Sequence, residues 1–467
     1  MAGLLDRIDN PTDLKRLSCA ELATLADDIR AFLVEKVAVT GGHLASNLGA
    51  VELTIALHFV FDLLVDRVVW DVGHQSYVHK ILTGRKHRFD SLRQLGGMSG
   101  FPKRGESPYD AYETGHSSTS VSVATGIAHA KKLRGEPGKA IAVIGDGSMS
   151  SGLVFEALNN AGQFKDNLMV ILNDNEMSIA PNVGALSEYL NRLLAAPVYN
   201  KFRDDVEELI KRIPNVGQKG YQLTRRIEAS LKHMIVPKTI FEEFGFRYLN
   251  PIDEHRLEPL IEILRQCRKL TGPLLLHVIT TKGCGYRPAE QHPTRFHGIG
   301  PFDPDSGEAI KCAGVPSYTQ VFGEAMIRLA KDDPRVVAIT AAMPDGTGLV
   351  QFARELPERF VDVGIAESHA VTCAGGMAAT GMRPVVAIYS TFLQRAYDNI
   401  MHDVCLPNLP VVLALDRGGI VGEDGETHQG VFDFAYLRHL PNMTVMAPAD
   451  EAELVQMLAT ALTLPGP

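Results

Sequence analysis

No run of about 18 apolar residues occurs in this chain, so a bilayer-crossing helix is not expected. Its first residues include Asp6, Arg7, Asp9, Asp13 and Lys15, where an export signal needs an uninterrupted apolar stretch. The expectation is a cytoplasmic protein with no membrane partner. Cys19, Cys267, Cys284, Cys312, Cys373 and Cys405 contain no C-x-x-C pair. That argues against a zinc ribbon or disulfide scaffold and fits a reducing compartment. The phosphate-loop pattern G-x-x-x-x-G-K-[ST] is missing, and no G-x-G-x-x-G follows a strand-like run in a βαβ unit. Positive charge is not in excess either; the net charge of −9 offers no nucleic-acid surface. Short-period repeats and low-complexity tails are also lacking.

What remains is a chain of globular composition, 45% hydrophobic and 22% charged, whose 467 residues exceed what one hydrophobic core usually supports. Short β-branched runs alternate with longer amphipathic segments, the pattern of parallel strands joined by helices. Strands are expected at 139–145, 167–173, 273–280, 335–340, 384–390 and 410–416, and helices at 151–164, 317–331, 366–380, 392–404 and 449–463. The fold class is therefore α/β, with two open, mostly parallel sheets covered by helices on both faces. A Gly-, Pro- and Asp-rich stretch at 297–317 marks the boundary between units 1–312 and 313–467. Residues 183–245 are charged and helix-prone, and read as a helical or mobile insertion.

Two strand ends carry the first chemical signal. One apolar run closes on Gly145-Asp146-Gly147 and the next on Asn173-Asp174-Asn175. In open parallel sheets, ligands bind beyond the carboxyl ends of strands. A carboxylate and a carboxamide there supply hard oxygen ligands for a small cation such as Mg²⁺, which completes its shell with phosphate oxygens and water. The helix after "SMSSG" would favour a diphosphate. The plain alternative is a tight turn followed by a helix cap.

With "GGHLASNLGAVELT" (41–54), "WDVGHQSYVHKILTGR" (70–85), "GHSSTSVSVATG" (115–126), "GIAESHAVTCAGG" (364–376), "IYSTFLQRAYDN" (388–399) and "DRGGIVGEDGETHQGVFD" (416–433), the chain resembles transketolase-like thiamine-diphosphate enzymes. Among them it resembles the 1-deoxy-D-xylulose-5-phosphate synthase family. The resemblance implies two thiamine-diphosphate-binding domains, one for the diphosphate and one for the aminopyrimidine. It also implies a third, C-terminal α/β domain that these residues do not include, with the second domain truncated at its end.

Carried over by motif, Asp146, Asn175 and the Met177 carbonyl would hold Mg²⁺. His74, Gly115, His116, Ser117, Gly145, Gly147, Ser148 and Lys282 would face the diphosphate, Ile179 would be an apolar wedge beneath the cofactor, and Phe392 would pack on its pyrimidine. Taken alone, an imidazole is more often structural, and Ile179 is simply a core residue. Glu367 would share a proton with the pyrimidine nitrogen, for which a buried carboxyl with a raised pKa is suited; otherwise it is a first-turn helix acid. His43 and His428 would handle protons near the reacting carbons. Ser46, Tyr389, Arg395, Arg417, Asp424 and His428 would line the substrate path, the two guanidiniums suiting phosphate. His297 is a weaker candidate.

The implied reaction decarboxylates pyruvate and joins the two-carbon unit to D-glyceraldehyde 3-phosphate, in a homodimer. The alternatives are transketolase-type ketol transfer and a non-catalytic cofactor-binding subunit.

Overall fold

The computed structural model describes residues 3–175, 177, 182–195, 239–310 and 315–467. Among the described residues, nine strands form two sheets. The first contains β1 (Arg67–Trp70), β2 (Ala140–Gly145), β3 (Leu168–Asp174), β4 (Arg247–Asp253) and β5 (Leu274–Ile279), in the order β1-β2-β3-β5-β4. The second contains β6 (Val336–Thr340), β7 (Phe360–Asp362), β8 (Arg383–Tyr389) and β9 (Val412–Asp416), in the order β7-β6-β8-β9. All neighbouring strands are parallel.

Side chains alternate between two buried faces. Ile141, Val143, Met169, Ile171, Leu274 and Leu276 enter one core of the first sheet, while Ala142, Ile144, Val170, Leu172 and Leu275 enter the other. The second sheet divides likewise, with Ile339, Val386 and Ile388 on one side and Val336, Ala338, Val385 and Ala387 on the other. Burial on both faces is why these strands read as continuous apolar runs. Helices Cys19–Thr40, Val51–Val60 and Leu257–Lys269 supply the first core; Ser120–Arg134 and Gly152–Phe164 supply the second.

The six expected strands are present, shifted by a residue or two at their ends. Three more lie outside that list. β1 and β7 are only four and three residues long. β4 contains Pro251 and loses regular register between Leu249 and Ile252, which it tolerates as an edge strand. The continuous helix expected at 392–404 is instead a series of short turns, ending in a wide π-type turn at Ile400–Cys405. Of the 183–245 insertion, Ala185–Ala195 and Ile240–Glu243 are helical, and 196–238 lie outside the described residues. No helix among the described residues is long and apolar enough to cross a membrane.

Candidate active site

The loops leaving the carboxyl ends of both sheets meet. Beyond β1, Asp71 is buried, and its carboxylate accepts the backbone N–H groups of Ser118 at 2.7 Å and Ser120 at 3.1 Å. This pins the loop carrying Gly115, His116 and Ser117 onto the loop carrying His74. Val72 (φ 60°) and Ser118 (φ 74°) are left-handed without being glycine, a strain of about 1–2 kcal/mol each that such bonds hold in place. Asn47 ties two further loops by donating to the carbonyls of His43 (2.6 Å) and His74 (2.7 Å). Ser46 sits half-buried beside it in the one-turn helix Leu44–Leu48.

Three imidazoles gather there. The rings of His43, His74 and His297 lie 5.0–5.7 Å apart, and each keeps a buried Nδ1 without a partner. Burial holds all three below the ordinary imidazole range, His43 at about 4, so they are neutral at pH 7. Burial also brings the Lys282 ammonium down to about 8, against the opposing pull of Asp146.

At the tips of β2 and β3, Asp146 is buried, and burial together with Asp174 pushes its carboxyl well above the usual range. Asp146 Oδ2 accepts from the Asn182 side chain at 2.7 Å, while Oδ1 has no partner. Where a Cβ on neighbouring Gly145 would lie, nothing is within 4 Å. Asn175 Oδ1 accepts the Met177 N–H at 3.1 Å, closing the turn after β3. An orphaned buried carboxylate oxygen, a carboxamide and a backbone carbonyl make an all-oxygen donor set that fits a hard divalent cation. Gly147 and Ser148 are buried in the turn that follows; Ile179 lies outside the described residues.

The second sheet supplies the opposite wall. Glu367 opens helix Glu367–Ala379 just past β7, and burial raises its carboxyl although Arg395 opposes the shift. Arg395, expected beside the acceptor, has its guanidinium on Glu367 (3.1 Å) and on the Ser117 carbonyl (3.1 Å). Phe392 stacks with Tyr389 and meets His116 edge-on at 5.0 Å. His116 Nε2 lies 2.9 Å from Thr391 Oγ1 and 2.8 Å from the Thr427 carbonyl, and Gly115 is so close to Thr427 that a Cβ would collide with it. Ile365 N–H donates to Ser150 at 3.2 Å. A narrow cleft runs between Asp146, Gly147 and Ser150 on one side and Ala342, Asp362 and Ile365 on the other.

Past β9, the loop to His428 crosses back to the first unit. His428 stacks on Phe101 at 5.1 Å, and Asp424 accepts from Arg93 at 2.9 Å. Burial lowers the His428 imidazole; it would raise Asp424, but His43, Arg93 and His428 outweigh it and hold that carboxyl low. The Arg417 guanidinium lies 4.3 Å over the Tyr389 ring and bonds Asp416 and the Gly346 carbonyl. Ring contacts thus link His74, His43, Phe101, His428, His116, Phe392 and Tyr389 into one cluster, with Arg417 over the Tyr389 ring. Sequence reading passed over Arg93, Phe101, Ser150 and Asn182, which touch the candidates only through folding, and Asp71, which holds the loop after Ser117. Asp174 was visible inside the second signature but was given no role.

The chain matches the 1-deoxy-D-xylulose-5-phosphate synthase family over residues 5–280 and the transketolase pyrimidine-binding domain family over 315–467. A 1-deoxy-D-xylulose-5-phosphate synthase of Geobacter sulfurreducens is 59% identical over 100% of this chain and 74% of its own length. The chain belongs to the 1-deoxy-D-xylulose-5-phosphate synthase family. A second relative of that name, from Pelotomaculum thermopropionicum, is 58% identical over 100% of this chain and 73% of its own length. Among solved structures, a transketolase from Campylobacter jejuni aligns with 97% of the chain and 78% of its own, at 20% identity and a TM-score of 0.45. The chain is accordingly a thiamine-diphosphate-dependent transferase with the activity of its family, 1-deoxy-D-xylulose-5-phosphate synthase.

Proposed function

We propose that the cleft between the two carboxyl edges holds thiamine diphosphate and Mg²⁺ and there joins two carbons of pyruvate to D-glyceraldehyde 3-phosphate, releasing CO₂. What supports this reading is a cleft within one chain, with Asp146 and its partnerless oxygen on one side and, on the other, Ile365, two residues before the buried acid Glu367. When bound, thiamine diphosphate supplies the electron sink that no side chain provides. Asp146, Asn175 and the Met177 carbonyl bind the cation. His74, His116, Lys282 and the loops of Gly115, Ser117, Gly145, Gly147 and Ser148 bind the diphosphate, and Ile179 keeps its assignment as the apolar wedge.

Glu367 holds a proton at its carboxyl for the pyrimidine nitrogen, as its burial supports, while Arg395 orients it. Phe392 packs against that ring. His43 and His428, neutral by burial, accept or return a proton near the substrate carbonyls. Ser46, Tyr389, Arg417 and Asp424 line the substrate side. We place the boundary between the diphosphate and pyrimidine domains at 312/313, and the enzyme in the cytoplasm as a homodimer; exposed Ile420, Val431, Phe432 and Phe434 support an apolar interface.

The test supplies pyruvate with and without D-glyceraldehyde 3-phosphate. CO₂ and 1-deoxy-D-xylulose 5-phosphate in equal amounts support the reading. Ketol transfer from xylulose 5-phosphate without CO₂ release would replace it with transketolase chemistry.

A further inference from the structure

The second signature contains an acid that the reading above leaves idle. Asp174 is the last residue of β3, buried at 2% exposure, and its carboxyl lies against that of Asp146. Behind it a line of polar groups crosses three neighbouring strands. His277 Nε2 on β5 lies 2.7 Å from Asp174 Oδ2, and His277 Nδ1 lies 2.8 Å from the Tyr248 hydroxyl on edge strand β4. His277 is wholly buried, and Tyr248 stacks on Phe241 at 5.7 Å.

The direction of this line follows from the groups in it. A carboxyl oxygen accepts, so Nε2 is the nitrogen that donates to Asp174 Oδ2. Nδ1 is then the acceptor, filled by the Tyr248 O–H. One imidazole tautomer is thereby fixed, and it has one consequence at its far end: Asp174 is kept as an acceptor, aimed at the carboxyl beside it. Two carboxyl groups set side by side at strand tips present oxygen atoms that one hard divalent cation can share.

We infer that Asp174, oriented by His277 and Tyr248, is a second acid of the metal site: a positioning residue that aims the Asp146 carboxyl and adds its own negative charge to the bound cation. This rests on the proposed Mg²⁺ site. The charge reaching the metal is then set partly from a strand edge far from the substrate.

The test is calorimetric titration of Mg²⁺ into the whole chain with thiamine diphosphate at a fixed saturating concentration, for the wild type, Asp174→Asn and Tyr248→Phe. Loss of partners around a metal ligand typically weakens metal affinity about 10–100-fold. Asp174→Asn is expected within that range, and Tyr248→Phe near its lower end. In parallel, the melting temperature of the cofactor-free chain should hold in Asp174→Asn, because the carboxamide oxygen introduced there still accepts from His277. A merely structural role would instead lower the melting temperature and leave the metal affinity alone. Mg²⁺ affinity within threefold of wild type in either variant overturns the inference. A wild type that gives no Mg²⁺ heat overturns the underlying metal site as well, so the two failures are told apart by the wild-type titration.

Discussion

Replacing Asp71 by alanine should unfasten the active-site loops. Its carboxylate takes two buried backbone N–H groups, those of Ser118 and Ser120, and among the described residues nothing else bonds them. Hydrogen bonds to a charged partner contribute about 1.5–3 kcal/mol each, and their donors stay buried once the acceptor is gone. The expected loss is therefore about 3–6 kcal/mol, a large part of the ~5–15 kcal/mol that holds a typical domain folded. Trp70, the single tryptophan, is buried next to Asp71, so its fluorescence during urea unfolding reports this sheet directly. Asp71→Asn, which keeps one acceptor oxygen, should fall about halfway. A loss below about 1 kcal/mol for Asp71→Ala would refute the claim that this carboxylate holds the His116 loop in place.

Glu367→Gln should leave cofactor binding nearly intact while turnover falls about 10²–10⁴-fold, as for other positioned proton-sharing groups; near-normal turnover in a steady-state assay contradicts that role. Replacing Arg395 by Gln removes the only cation on Glu367 among the described residues and should raise its carboxyl further, so that Glu367 keeps its proton to higher pH and the alkaline limb of the pH–rate profile moves upward; an unmoved limb counts against the pair. His43 and His116 are each held at about 4 by burial, against an ordinary 6.5. Between pH 6.5 and 4 the unfolded chain takes up protons that the folded one refuses, so stability should fall as pH drops through that window and be unaffected by these groups above it. Urea unfolding at pH 5 and pH 7 checks this, and His116→Gln should flatten the dependence.

Much of the site was legible because parallel sheets put their chemistry at strand tips, and a strand buried on both faces announces itself as an apolar run ending in polar or glycine residues. Asp146 could be found that way; Glu367, past the three-residue, half-buried β7, was legible only through the resemblance carried by "GIAESHAVTCAGG". Asp71 follows only the four-residue β1, too short to show a period, and its role depends on Ser118 being folded back 47 residues later. Arg395 was read as a substrate-side residue because a guanidinium fork suits phosphate; its pairing with Glu367 could not be read, since it arises from the turn after β8 passing the start of the helix after β7. Tyr248 and His277 sit on different strands and carry no common motif, so only the sheet order shows that they stand behind Asp174.

The central claim is that strand tips of the first sheet and an acid from the second share one magnesium-dependent cofactor site. Calorimetric titration of thiamine diphosphate into the chain with Mg²⁺, with a chelator, and in the Asp146→Ala and Glu367→Gln variants tests it most directly. Saturable binding by wild type and Glu367→Gln, abolished by the chelator and by Asp146→Ala, is the predicted result. Binding that survives both the chelator and the loss of Asp146, or no binding at all, would contradict it.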